Sequence, residues 1–375
     1  MDRFCHWIKN IVFLAVLLIP SVVWANRLSI IDVETPKPES EAQNATISVY
    51  FDYSTNNQMP ITGLTADHCS ILINGKKPEV VQSELVPFVE GDLGVGVLFV
   101  FPISKIYSED SYGIRTTLKS LLQKMDRPID QLNIVTYDHN AISQGWSAAS
   151  EKKLISQLDA IQTTDVIETN FFSSLAPTIS AFESLRNVSQ KYLVIISDAE
   201  GALFNDHERS AAIIGPFIDQ LKKNNIIPII VAYSPDGRDA MPNIDQIRRI
   251  ATHLDGYYYV TESESAFQQI MLSDVYKAIY GKYLLKATLD MSGENALPMG
   301  SNYPLELVVK TMHTDAQGDH AKTKIDWPEL SVPDVQSDLT PHSAEINPWE
   351  ILKYLIVFVL GLLAGAGIMR ARRNS

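Results

Sequence analysis

The sequence predicts a doubly wound α/β domain with a mostly parallel sheet, placed between β-rich flanks. Three observations lead there. From 94 to 281, strands that are apolar throughout alternate with stretches of helical apolar spacing. Before and after that block, apolar residues recur at every second position instead. An apolar run also stands near each end of the chain. Strands without a polar face need cover on both sides, which helical layers above and below a parallel sheet provide.

In chain order, Arg3 and Lys9 flank the start of the apolar run 11–19, and Val23-Trp24-Ala25 offers a cleavage site before Asn26. Residues 1–25 therefore read as a secretory signal; the run is short for a spanning anchor. Residues 26–90 read as a β module. Its strands are 28–33, 45–53 with Ile47, Val49 and Phe51 alternating, and 69–73 and 79–82 around the turn Asn74-Gly75.

The α/β block, 91–281, has predicted strands at 95–101, 132–137, 192–197, 226–233 and 257–260. Between them lie five apolar stripes of helical spacing. They are Ile114, Leu118, Leu121 and Met125; Leu154, Leu158 and Ile161; Leu175, Ile179 and Phe182; Ile213, Phe217 and Leu221; and Ile244, Ile247, Ala251 and Leu254. A last helix is predicted over about 265–280, with Phe267, Ile270 and Met271 inward.

Alternation returns over 282–328, at 283–289, 303–311 and 322–327. Three strands are too few for an independent sheet of this kind. With the four strands before the block they make a sandwich count. The block is therefore read as inserted in one β-sandwich, with two separate β pieces flanking it as the alternative. Residues 329–348, rich in Pro, Ser and Asp, read as a flexible stalk.

The run within 349–369 matches one bilayer crossing, with Lys353 snorkelling and Trp349 and Tyr354 at the interface. Arg370, Arg372 and Arg373 in the tail 370–375 mark the cytoplasmic side. The expected location is the inner (cytoplasmic) membrane, single-pass, with the bulk of the chain periplasmic or extracellular. Gly361 and Gly365 have the small-xxx-small spacing through which two such helices could pair as a homodimer.

A formal charge of −13 argues against nucleic acid as a partner. Without Cys5, which lies in the signal, only Cys69 remains, so no intrachain disulfide can form. A secreted animal ectodomain of this size usually carries several, which points to a bacterial envelope. Asn44 and Asn187 are formal glycosylation acceptors. Nucleophile elbows, phosphate loops and His-Glu-x-x-His are absent, and the His residues lack metal-ligand spacing. The chain is therefore not expected to be an enzyme.

Three stretches arrive in a telling order. A buried-strand run from Gly94 leads into Ser104; Ile167-Glu168-Thr169-Asn170 opens a helix; Tyr192 to Ser197 runs into Asp198. This order resembles the von Willebrand factor A (VWA) domain family, in its bacterial membrane-anchored form, over roughly half the chain. Residues 61–75, with Gly63-Leu64-Thr65, Asp67 and Asn74-Gly75, also resemble a β module that precedes VWA domains in many bacterial secreted proteins.

The resemblance implies a metal-dependent ligand site beyond the carboxyl ends of the strands. Hydroxyls and carboxylates there hold Mg or Mn, and an acidic residue of the partner completes the shell. Ser104, Thr169 and Asp198 match that site. The first loop should read Asp-x-Ser-x-Ser, but here it reads Pro102-Ile103-Ser104-Lys105-Ile106. The expectation is a degenerate metal site with no cofactor, or weak Mg or Mn at Ser104, Thr169 and Asp198. Ser104, Lys105, Thr169 and Asp198 would then form a binding edge, with Ile103, Ile106 or Tyr107 supplying apolar contact. Thr169 also suits an N-cap for a helix from Asn170.

The implied function is protein–protein recognition in a bacterial envelope assembly. Two other classes stay open. A metal-dependent adhesin for an extracellular ligand needs an intact ion site. A hydrolase needs a nucleophile–base pair.

Overall fold

The computed structural model describes residues 26–35, 44–55, 58–103, 110–165, 170–197, 207–234, 241–290, 302–311 and 318–326. The expected signal, stalk, membrane span and tail lie outside the described residues. Among the described residues no helix is long and apolar enough to cross a membrane.

The central strand of the α/β sheet is β5 (Val95–Pro102), and all eight of its residues are buried. Around it lie β6 (Gln131–Tyr137), β7 (Ala141–Ser143), β8 (Ser147–Ala148), β9 (Gln190–Ser197), β10 (Ile226–Tyr233) and β11 (Tyr257–Thr261). The strand order is β11-β10-β9-β5-β6-β7, with β8 also on β6. Pairs among β5, β6, β9, β10 and β11 are parallel, as expected for strands covered on both faces. β7 and β8 run antiparallel to β6, so the sheet is mixed. Neither short strand has enough residues to carry an alternation.

The predicted helical stripes are the inward faces of α1 (Asp110–Lys124), α2 (Lys153–Ala160), α3 (Leu175–Ser184), α4 (His207–Lys223) and α5 (Met241–Thr252). Alternate β5 residues feed two cores. Val97, Phe99 and Phe101 pack with Ile114, Leu118 and Leu121 of α1. Leu98 and Val100 pack with Phe171, Phe182, Phe217 and Ile247 on the opposite face. Each such side chain contributes about 1.5–3 kcal/mol when fully buried.

Two helices differ from expectation. α3 begins at Leu175, after a 3₁₀ turn over Phe171–Ser174, and the Asn170 side chain makes no capping bond. A helix from Asn170 would place Pro177 in its interior, where it removes a backbone hydrogen bond. Starting at Leu175 puts Pro177 in the first turn, where no partner is lost. The last helix is not uniform. It comprises α6 (Glu264–Gln269), a π segment over Ile270–Val275, and α7 (Tyr276–Tyr280). Phe267, Met271 and Val275 are fully buried. In a regular α-helix that spacing drifts round the axis by about 40° per step; the wider π turn offsets the drift.

The remaining strands are β1 (Arg27–Glu34), β2 (Asn44–Ser54), β3 (Cys69–Ile73), β4 (Val80–Pro87), β12 (Tyr283–Asp290), β13 (Asn302–Val309) and β14 (Asp319–Asp326). They form a four-stranded sheet, β1-β2-β12-β4, and a three-stranded sheet, β14-β13-β3. Both inner faces meet in one apolar core that includes Val49, Phe51, Ile71, Leu285, Leu305 and Leu307. β12 pairs with β2 on one side and β4 on the other. The chain thus leaves the sandwich after β4, builds the α/β sheet, and re-enters between two strands it made earlier.

A fragment of residues 26–90 lacks β12, which joins β2 to β4, and β13, on which β3 pairs. It is expected to show no cooperative thermal transition by circular dichroism. A sharp melt of that fragment would refute the dependence.

Candidate functional site

The carboxyl ends of the parallel strands form the upper edge. Register brings four of them level. Pro102 pairs with Tyr137, Val100 with Ile195, and Ala232 with Ser197. The loops that carry Ser104 and Asp198 therefore leave from neighbouring strands, β5 and β9. Ser104, Lys105, Ile106, Tyr107, Thr169 and Asp198 themselves lie outside the described residues.

Beneath the loops, hydroxyls line the strand ends. Tyr137 Oη donates to Ser197 Oγ at 3.0 Å, and both side chains are buried. Burial pushes the Tyr137 phenol well above its usual range. The Ser234 hydroxyl, 5% exposed at the end of β10, has no hydrogen-bond partner among the described residues. The first loop is tied down where it starts. The Ile103 N–H donates to Tyr137 O at 2.9 Å, and Ile103 O accepts the Thr164 N–H at 2.8 Å. The Asn170 N–H donates to Asp138 O at 2.8 Å. Ile103 packs with the α1 core and is not available for partner contact, contrary to the sequence expectation.

Pro102, where the family pattern has a carboxylate, is buried and has no side-chain oxygen. The Asp138 carboxylate turns to the Asn140 amide, 2.8 Å away. Among the described residues no three His, Cys, Asp or Glu side chains are placed to hold a metal.

Residues 97–272 match the family model of the von Willebrand factor type A domain. This part of the chain is a VWA domain. Several solved structures are similar to it. One is the conserved hypothetical protein BatB from Bacteroides thetaiotaomicron, 15% identical over 50% of this chain and 99% of that one, with a TM-score of 0.37. Another is an aerotolerance-related membrane protein from Bacteroides fragilis, 16% identical over 49% of this chain and 100% of the other, TM-score 0.38. The PilB minor pilin from Streptococcus sanguinis is 16% identical over 68% of this chain and 79% of its own, TM-score 0.43. No curated protein sequence matches the chain.

The opposite, lower edge of the VWA sheet holds a buried polar node. Asp130 is fully buried. Its Oδ1 accepts the Val95 N–H at 3.0 Å and Arg127 Nη1 at 3.2 Å; its Oδ2 accepts Tyr280 Oη at 2.5 Å. Arg127 Nη2 donates to Gly91 O and Leu93 O, at 2.7 and 3.2 Å. Burial pushes the Asp130 carboxyl up, and the bonds from Tyr280 and Val95, with the Arg127 charge, pull it back. One acid thus grips the chain as it enters the VWA domain and as it leaves.

Two residues beyond Tyr280 lies Lys282, 4% exposed. Its Nζ donates to Ala278 O at 2.8 Å, to Ile279 O at 2.9 Å, and to Tyr192 Oη. It therefore caps the end of α7 from the strand side. Burial lowers its pKa to about 8, against the attraction of Asp52. The one hint of this role in the sequence is a lysine within the apolar run from Ile279 to Leu285.

The depressed Lys282 pKa makes its contribution to stability largest above the unfolded value near 10.5, and lost as pH falls through about 8. Between pH 8 and 9.5 the protein should gain up to about 2 kcal/mol relative to Lys282→Met. Parallel stability curves for the two proteins across that window, from chemical denaturation, would refute the burial of a titrating amine.

Proposed function

We propose that the chain is a single-pass, membrane-anchored VWA-domain protein of a bacterial envelope. In this reading the upper edge of the VWA domain recognises a protein partner without a working metal site, and the chain is not an enzyme. The observation that carries the reading is Pro102. It ends the central strand, beside the ends of β6 and β9, at the position where the family pattern has its carboxylate. Ile106 stands where a hydroxyl is expected. Lys105 would supply a fixed positive charge in place of the ion. An exposed ion pair contributes only about 1 kcal/mol or less, so apolar contact must carry much of the affinity. Ile106 and Tyr107 are suited to that. So is Tyr112, 71% exposed in the first turn of α1, just after the first loop.

Titration calorimetry with Mg²⁺ and Mn²⁺ is expected to show no micromolar binding, and partner pull-down is expected to survive EDTA. The double variant Lys105→Glu with Ile106→Asp is expected to abolish the pull-down. Tight ion binding, or partner loss in EDTA, would instead favour the metal-dependent adhesin.

The proposed orientation has its own check. Protease added to spheroplasts should digest the body of the chain and spare the tail containing Arg370, Arg372 and Arg373. A protected body with an accessible tail would reverse the orientation.

A further inference from the structure

Asp319, the first residue of β14, is the acid to which the start of β1 is fastened. Its Oδ2 accepts two hydrogen bonds, from Tyr53 Oη at 2.7 Å and from Asn26 Nδ2 at 3.2 Å. Asn26 Nδ2 also donates to Tyr53 Oη at 2.8 Å, so β2, β14 and the residue before β1 meet at one point. Burial and the bond to Asp319 push the Tyr53 phenol up to about 12, so it donates without carrying charge. Along its length β1 has main-chain bonds to β2 alone. A hollow of about 280 Å³ separates Ile30, Ile31 and Val33 from Thr323 and Ile325 of β14. Among the described residues, the bond from Asn26 to Asp319 is the one side-chain hydrogen bond that ties this end of the chain to β14.

The Asp319 charge is answered by no cation among the described residues. Arg27, next to Asn26, turns to Asp255 at 3.4 Å. His320, next to Asp319, is held by Glu306 at 2.7 Å, and Lys322 turns to the same glutamate. The stem of Lys310 lies against Gly318 without forming an ion pair to Asp319. Both donors to Asp319, an amide and a phenol, are neutral. A half-buried carboxylate held in this way favours the charged form of any basic group brought beside it.

We propose that removal of the signal makes the missing cation: the new α-ammonium of Asn26 pairs with Asp319 and fixes the start of β1 against β14. The proposal rests on the expected cleavage after Val23-Trp24-Ala25. Hydrolysis breaks the Ala25–Asn26 peptide bond. Water gives its hydroxyl to the Ala25 carbonyl carbon and a hydrogen to the Asn26 nitrogen, which takes one more proton from solvent at neutral pH. A neutral amide nitrogen thus becomes a charged one, four bonds from the Nδ2 atom already in place. Covalent geometry keeps it within about 8 Å of Asp319 Oδ2, and an end freed from Ala25 can turn to shorten that distance. Before cleavage the same nitrogen is an amide with no charge to offer. The sandwich edge is therefore fully fastened only in the processed chain.

The test uses the protein extracted from membranes. Intact mass gives its first residue, expected to be Asn26. Trace acetylation from about pH 6 to pH 10, read on the N-terminal peptide by mass spectrometry, then gives the pKa of the α-amine. An unperturbed α-amine titrates at about 7.7–8.0; beside the Asp319 carboxylate it should titrate higher. At pH 7 it should label roughly threefold more slowly than in Asp319→Asn, the effect of a partly exposed ion pair. Tyr53→Phe removes a hydroxyl and no charge, so it should keep the raised value, which a general loosening of the edge would not. An ordinary α-amine on a chain that begins at Asn26 would overturn the pairing and leave the cleavage reading standing. A chain that begins elsewhere would overturn both. Where Asp319→Asn does not fold, the pH profile of the unaltered protein decides by itself.

Discussion

Asp130 is the constraint on which the two halves of the molecule depend. A sandwich interrupted by a whole α/β domain has two crossings, and each is a place where the halves could hinge. Here both crossings end on one buried carboxylate, through the Val95 amide and the Tyr280 hydroxyl. Arg127 neutralises the acid and holds the carbonyls of Gly91 and Leu93 upstream. Taking either ion out of water costs several kcal/mol, so the pair adds little net stability against an apolar replacement. Its contribution is geometric. Removing one partner leaves the other charged and buried, a loss of about 3–5 kcal/mol, so the crossings stay paired or the region opens.

The seam that results is polar where a domain core is usually apolar. Lys282 follows the node directly and turns back to the last carbonyls of α7 and to Tyr192 in β9. The final helix of the VWA domain is thereby fastened to the first residues of β12. β12 in turn lies between β2 and β4. The sandwich cannot form its four-stranded sheet until the chain has passed through the VWA domain. The order of synthesis and the order of assembly therefore differ, and the long-range pairing makes slow folding the natural expectation.

Much of this was legible from periodicity. β5 reads as a covered strand because every residue from Val95 to Phe101 is glycine or apolar, and the five helical stripes lie on inward helix faces. The seven sandwich strands could be counted, and counting suggested that the flanks belong together. Periodicity could not show β12 between β2 and β4, since strand order leaves no mark on a strand's own pattern. β7 and β8 were too short to show one. The node was hidden for another reason. Asp130 and Tyr280 are 150 residues apart, and each looks like an ordinary surface residue until the other is placed beside it. At the upper edge, family spacing marked Ser104, Thr169 and Asp198, and the register of β5 and β9 makes two of their loops neighbours. Ile103 was misjudged because one residue beyond a buried strand can still be core.

The proposed membrane anchor gives the sheet order a mechanical sense. A partner held at the upper edge would pull on the loops after β5 and β9, while the stalk after β14 held the other end. Load entering the sandwich through Lys282 reaches β12, bonded along both sides, and leaves through β14, an edge strand of the other sheet. A strand paired on both sides and pulled along its length must break many hydrogen bonds together. An edge strand pulled sideways gives them up one at a time. The same order leaves β1 as the strand least committed to the sheet, paired on one side and interrupted by the shift near Ile31.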